Sequence, residues 1–315
     1  MEEIIYEENP EEKEENIAED NLDQENPKSD SFSAKKSLGQ NFLHSPQAIS
    51  AMVHATDIKK GDTVLEIGPG KGALTVKLLE SGAKVIAFEK DDRAIPFLNE
   101  KFLDYLKNGD LIIVHEDILN LNIENNPYFK GSKYKISANI PYYITGELLR
   151  KFLESNNQPE KMVLMLQKEV ARRIVGEESK KTDENGAKIK KESILSISVK
   201  VYGNPKYITT VNKKFFRPVP KVDSAILAIN DISKDFFYKN GSEIDENKFF
   251  EIVKAGFAHK RKIVVKNLEE VIDKEVLKRV WIDLKLDTNL RAEELSLDDW
   301  KNIALNTNCF PQKSL

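Results

Sequence analysis

A doubly wound α/β fold, a parallel sheet with helices on both faces followed by a small helical domain, is what this sequence predicts. Three observations carry the prediction. Strand-like and helix-like runs alternate from about residue 48 to 174, and the first strand-like run enters a glycine-rich turn. From about Asp245 the apolar spacing changes to threes and fours. Thr63-Val64-Leu65-Glu66-Ile67 opens the sheet. Lys84-Val85-Ile86-Ala87-Phe88, Leu111-Ile112-Ile113-Val114, Tyr134-Lys135-Ile136-Ser137-Ala138 and Lys161-Met162-Val163-Leu164-Met165-Leu166 follow as the next four strands. Glu177 to Lys191 is polar, contains Asn185-Gly186 and five lysines, and reads as a loop whose lysines could meet phosphates. Ile194, Leu195, Ile197, Val199 and Val201 partly alternate with polar residues, which by periodicity suggests a strand. Phe249, Phe250, Val253 and Phe257, then Ile263, Val264 and Leu268, carry the helical spacing of the last part, where Lys254, His259, Lys260, Arg261, Lys262 and Lys266 form a basic segment.

The ends of the strands hold the chemistry. Gly68, Gly70 and Gly72 in Gly68-Pro69-Gly70-Lys71-Gly72 let the backbone approach a ligand at the carboxyl end of the first strand, with a helix start facing the same crevice. The spacing is G-x-G-x-G, not the G-x-G-x-x-G of dinucleotide enzymes, which disfavours NAD. Glu89, 21 residues after Gly68, can accept from both hydroxyls of a ribose, and Asp117, after the third strand, from an adenine amine. One acid at a strand end is ordinarily a solvated residue. Four successive strand ends carrying Gly68, Glu89, Asp117 and Asn139 point instead to a nucleoside cofactor.

Asn139-Ile140-Pro141-Tyr142 closes the fourth strand and suits chemistry on a planar amine. The lone pair of an adenine amine is delocalised into its ring, so the amine needs hydrogen-bond acceptors more than a base. Asn139 Oδ1 and the Ile140 carbonyl supply two. Pro141 fixes its own φ and pushes Ile140 towards an extended conformation, and the Tyr142 ring offers a stacking face for a flipped base. By its turn chemistry alone the tetrapeptide also fits an ordinary strand-ending turn.

Taken with Leu38-Gly39-Gln40-Asn41-Phe42-Leu43, Gln167-Lys168-Glu169-Val170-Ala171 and Phe216-Arg217-Pro218-Val219-Pro220-Lys221-Val222-Asp223-Ser224, these motifs resemble the ribosomal RNA adenine dimethyltransferases. Phe257-Ala258-His259-Lys260-Arg261-Lys262 and Leu290-Arg291-Ala292-Glu293-Glu294-Leu295 resemble the bacterial small-subunit (16S) branch, the kasugamycin-sensitivity methyltransferase family. The resemblance implies a Rossmann-like methyltransferase sheet of seven strands, with a helix over 194–201 and with Tyr207-Ile208-Thr209-Thr210 and Ala225-Ile226-Leu227-Ala228-Ile229 as the last two strands. It implies an S-adenosylmethionine site lined by Asn41, Leu43, Gly68, Glu89, Asp117 and Asn139, with Gly70 in its loop and Gln40 close by. Catalysis falls to Asn139, Ile140, Pro141 and Tyr142. Phe216 would stack on the other face of the target base, while Phe215 would pack into the core. The implied reaction is dimethylation of two adjacent adenines near the 3′ end of small-subunit rRNA, with a role in small-subunit biogenesis. The implied partners are that RNA and the immature small subunit, with the enzyme a monomer. A large-subunit adenine methyltransferase of the macrolide-resistance type shares the site, but the two C-terminal motifs argue against it. A DNA adenine methyltransferase would more often carry Asp at 139. A non-catalytic assembly factor fits poorly with intact Gly68, Glu89, Asp117, Asn139, Tyr142 and Phe216.

Composition frames this reading. At 315 residues the chain has room for a large domain and a small one, expected over 35–240 and 241–315. The formal net charge of −4 hides an asymmetry: residues 1–34 carry 13 acids against Lys13 and Lys28, leaving residues 35–315 with a net charge of +7. The first 34 residues read as a disordered acidic tail and the folded part as a basic body suited to a polyanion. A single cysteine, Cys309, fits a reducing cytoplasm, and no apolar run is long enough to cross a bilayer. His44, His54, His115 and His259 lack ligand spacing, so no metal is expected.

Overall fold

Short runs rich in β-branched and aliphatic residues become strands because both of their faces are covered. The computed structural model of the protein describes residues 32–129, 131–182, 188–238 and 244–308, and the fold below is that of the unit Ala34–Leu315. Five strands, β2 (Thr63–Ile67), β3 (Lys84–Glu89), β4 (Leu111–His115), β5 (Tyr134–Asn139) and β6 (Lys161–Gln167), run parallel. They match the sequence expectation to within a residue at each end. The last two, β9 (Asn204–Val211) and β11 (Ser224–Asn230), complete a seven-stranded sheet of order β4-β3-β2-β5-β6-β11-β9. β11 is antiparallel to both neighbours, so the sheet is mixed. A two-residue ribbon pairs β1 (Phe42–Leu43) with β10 (Phe216–Arg217).

The strand order places the chemistry. The chain steps outward from β2 to β3 and β4, then returns to the other side of β2 with β5, which opens a crevice at the carboxyl ends of β2 and β5. In register, Ile67 lies between Phe88 and Ala138, so Gly68, Glu89 and Asn139 emerge side by side. Helices α1 (Pro46–Thr56), α2 (Ala73–Glu80), α3 (Ala94–Lys101), α4 (Leu103–Asn108), α5 (Thr145–Leu153) and α6 (Lys168–Val175) flank the sheet. α1 starts because Ser45 accepts from the Ala48 N–H with Pro46 in the first turn, and it ends at Asp57 in the left-handed region.

The polar stretch 177–191, expected as a loop, instead contains an antiparallel pair, β7 (Glu177–Thr182) and β8 (Lys188–Lys191). Asn185-Gly186 between them is a strong hairpin signal that the charge run obscures; residues 183–187 lie outside the described residues, as do Cys309 and all but the last three residues of the acidic segment 1–34. Ile194 to Lys200 forms helix α7 (Ile194–Lys200), as the resemblance implies, and not the strand that alternation suggests. Ser193 and Ser196 form a reciprocal capping box there, and Ile197 and Val199 are both buried.

After α8 (Asp235–Tyr238), the C-terminal helices are α9 (Glu246–Gly256), α10 (Val264–Leu268), α11 (Lys274–Asp283) and α12 (Leu297–Asn308). Asp245 caps α9 through the Lys248 N–H. Phe249, Ile252 and Val253 join one buried cluster that runs through Phe237 and Tyr202 to the sheet residues Leu227 and Leu164. Gly256 is required where it stands, since a Cβ there would come within 2.4 Å of the Trp300 ring. Among the described residues, no helix is long and apolar enough to cross a membrane.

Candidate active site

Leu38 to Phe42, the turn after β2, the ends of β3 and β5 and the segment after β4 enclose one cavity. Gln40, Asn41, Gly68, Gly70, Glu89, Asp117, Asn139, Ile140, Pro141 and Tyr142, all expected from the sequence, line it. Leu43 does not: its side chain is buried in the β1–β10 ribbon beside Phe216. The two phenylalanines exchange their expected environments. Phe216 is 1% exposed and Phe215 is 38% exposed, because the two-residue strand turns Phe216 inward opposite Leu43.

Each polar group is held. Gly68 and Gly70 have φ of 68° and 55°, the left-handed conformation glycine adopts without strain. A Cβ added at Gly68 would meet no atom within 4 Å, so the turn leaves room at the cavity edge for a ligand to approach the backbone. Glu89 is buried, and its Oε2 accepts from the Gly70 N–H at 3.0 Å and its Oε1 from the Asp91 N–H at 2.8 Å. Burial pushes its pKa up against the pull of those backbone donors. Asp117 Oδ1 accepts from the Leu119 N–H at 3.0 Å, and Lys90 Nζ lies 2.6 Å from Oδ2. Burial alone would raise the Asp117 carboxyl, but the Lys90 and Leu119 bonds outweigh it and the pKa is lowered. Both carboxylates, the permissive glycines and the open edge suit a nucleoside with a cis-diol and an exocyclic amine.

On the other side, Asn139 Nδ2 donates to the Asn41 carbonyl at 3.2 Å, which leaves Oδ1 free of that tether to accept. Ile140 anchors its carbonyl by burying its side chain. Tyr142 is half-buried, and its hydroxyl lies 2.7 Å from Ser224 Oγ. Burial raises the phenol pKa.

Two groups escape a reading by local motif. Asp91 is buried, held by Arg93 at 2.6 Å, and accepts from Gln40 Nε2 at 2.8 Å, which ties the segment before β1 to the loop after β3. Lys90 pairs with Asp117 only because β3 and β4 are neighbours. Adjacency of Lys90 and Asp91 to Glu89 is the only sequence signal either leaves.

Glu66, near the end of β2, is fully buried, and among the described residues its Oε2 has no hydrogen-bond partner. Burial, helped by the charge of Glu89, pushes its pKa up to about 8 from 4.5. The sign follows from linkage: the folded state keeps a proton that the unfolded chain releases, so this contribution to stability is complete below 4.5 and is lost as pH rises through about 8. Glu66→Gln mimics the protonated acid and is expected to flatten that decline, with a gain of about 1–3 kcal/mol at pH 9 and little change at pH 5. Urea unfolding at the two pH values checks it, and parallel wild-type and variant profiles would refute it.

Comparison with known proteins agrees with the geometry. The family model described as ribosomal RNA adenine dimethylase matches residues 31–308. Proteins named ribosomal RNA small subunit methyltransferase A are similar: that of Dehalococcoides mccartyi strain CBDB1 is 40% identical over 274 residues, 86% of this chain and 88% of the relative. That of Bacillus cereus strain B4264 is 35% identical over 281 residues, 87% and 91% of the two chains. The crystal structure of a dimethyladenosine transferase from Plasmodium falciparum superposes with a TM-score of 0.68 at 27% identity, covering 85% of this chain and 98% of that one. The 23S rRNA methyltransferase ErmE, at 21% identity, shares the fold with a TM-score of 0.64 over 85% of this chain and 100% of its own.

Proposed function

The chain belongs to the ribosomal RNA adenine dimethylase family, and from that premise we propose that it dimethylates the exocyclic amines of adenines in small-subunit ribosomal RNA. One observation carries the reading: Gly68, Glu89, Asp117 and Asn139 meet in one cavity at the switch point of the sheet. S-adenosylmethionine, bound there, supplies an electrophilic methyl group on a sulfonium. Glu89 is the acceptor for the ribose hydroxyls and Asp117 for the cofactor adenine amine, with Gly68, Gly70, Gln40 and Asn41 shaping the pocket. Leu43 acts from behind, through its pairing with Phe216.

Asn139 Oδ1 and the Ile140 carbonyl accept from the N–H groups of the target amine and turn its lone pair towards the methyl group. As the new N–C bond formed and the C–S bond broke, the positive charge would pass from sulfur to the amine nitrogen and then leave as a proton to water, so positioning and desolvation of the neutral amine matter more than a base. Tyr142 stacks on the flipped adenine. Phe216 offers its ring as the opposite face only when the β1–β10 ribbon opens.

In this reading residues 35–240 carry catalysis and residues 241–315, with the basic segment around Lys260, contact RNA. The finer proposals are two adjacent adenines near the 3′ end, an immature small subunit as substrate, action in the cytoplasm and a monomeric enzyme. Incubation with labelled cofactor and immature small subunits, large-subunit RNA or DNA, followed by mapping of the labelled nucleotides, tests the reading. Dimethyladenosine confined to the small-subunit RNA is expected. Label only in large-subunit RNA or DNA, or none, would overturn it.

A further inference from the structure

Beside the cavity mouth, at the ends of β6 and β11, lies a second recess that the reaction as described leaves unused. Lys168, Arg172, Lys213 and Lys221 line it, with Glu169 and Asp223. Arg172, Lys213 and Lys221 are exposed, and among the described residues none of the four cations has an ion-pair partner. Lysines with structural work behave differently: Lys90, Lys135, Lys200 and Lys234 are each committed to a carboxylate. Of the two acids here, Asp223 already accepts from the Lys213 N–H at 3.0 Å through Oδ1. Four gathered cations against two carboxylates leave the recess net positive, which suits an anion.

Its place in the sheet gives the anion an identity. Asn139 pairs with Met165, and Gln167, two residues further along β6, pairs with Ser224. By ordinary strand spacings, Gln167 is roughly 8 Å from Asn139. Ser224 Oγ reaches the Tyr142 hydroxyl at 2.7 Å, and the Lys168 N–H donates to the Asp223 carbonyl at 3.0 Å. The recess is thus fixed to the residue proposed to stack on the base. A nucleotide with its base turned into the cavity keeps its phosphates at the mouth, within the reach of long side chains on this shelf.

We infer that Lys168, Arg172, Lys213 and Lys221 form a phosphate-binding shelf that grips the RNA backbone flanking the target adenosine and sets how deeply the base enters. The inference rests on the proposed action on RNA adenines. Phosphate contacts of this kind fix register without reading sequence.

The test uses the full chain with Lys213→Ala/Lys221→Ala and, as the charge-preserving control, Lys213→Arg/Lys221→Arg. Binding of a single-stranded, adenine-containing RNA oligonucleotide is measured against salt, and cofactor affinity separately. Loss of two phosphate contacts is expected to reduce the slope of log K against log salt by about 1.4. The arginine variant should keep the slope, cofactor affinity should hold, and the KM for rRNA in methyl transfer should rise for the alanine variant alone. An unchanged slope and KM would overturn the shelf, as would weaker binding to intact subunits with no change on naked RNA, which would mean a protein partner. A wild-type enzyme that binds the oligonucleotide with the expected slope yet methylates no adenine would overturn the functional reading and leave the phosphate site standing.

Discussion

Asn139→Ala is expected to lower single-turnover methyl transfer by roughly 10²–10³-fold, the range seen when one preorganised polar group is removed from a reacting centre. The side chain sits at the end of β5, where the parallel pairing with β2 and β6 fixes its backbone. Its amide is oriented by donation from Nδ2 to the Asn41 carbonyl, so Oδ1 is the atom left for the substrate. Alanine removes the acceptor and cuts the tether to the segment before β1, while the strand itself is undisturbed. RNA binding should survive, because the phosphate contacts inferred above lie elsewhere. Asn139→Asp keeps an acceptor but sets a carboxylate against the Asn41 carbonyl, so its rate should fall too. Near-normal turnover in a folded Asn139→Ala variant would remove Asn139 from the chemistry.

Glu89→Gln should weaken S-adenosylmethionine binding by ten- to a hundredfold, since a hydrogen bond to a charged group is worth about 1.5–3 kcal/mol. Its carboxylate is preoriented by the Gly70 and Asp91 N–H groups, and an amide can accept from only one of them without turning its own NH₂ towards the other. Because burial raises the Glu89 pKa, affinity in the wild type should fall as pH drops through a value above the ordinary 4.5 of a glutamate. Calorimetric titration of both proteins across that window decides the matter. Equal affinities and equal pH dependence would place the ribose elsewhere.

Much of this site could be read from residue order alone because its parts sit at strand ends. Each apolar run stops where its last residue leaves the sheet, and the next polar residue, Glu89 or Asn139, marks the crevice. Side-chain environments were less legible. Phe215 and Phe216 are chemically identical neighbours, and only the pairing of Leu43 with Phe216 across a long separation decides which one is covered. The same holds for Lys90 with Asp117 and for Tyr142 with Ser224, which meet only once the sheet is assembled. Alternation misreads 194–201 because a short helix buried on two sides shows little polar periodicity, and the Ser193–Ser196 cap is the better local signal. In 177–191, the charge run hid a pair of antiparallel strands.

The continuous core has a metric consequence. Phe249 and Trp300 share one buried cluster with Phe237, Tyr202 and the strands; Lys191 meets Glu293 at 2.7 Å, and the Tyr202 hydroxyl donates to Glu246. The C-terminal helices are therefore not on a swivel. His259, Lys260, Arg261 and Lys262 stand at a set distance from the methyl-transfer point, held by the Asn267 amide, which donates to the Gly256 and His259 carbonyls. If RNA docks at that basic tip, as proposed above, the molecule would work as a ruler: only nucleotides whose separation from the docked element equals the span of the protein would reach the cavity.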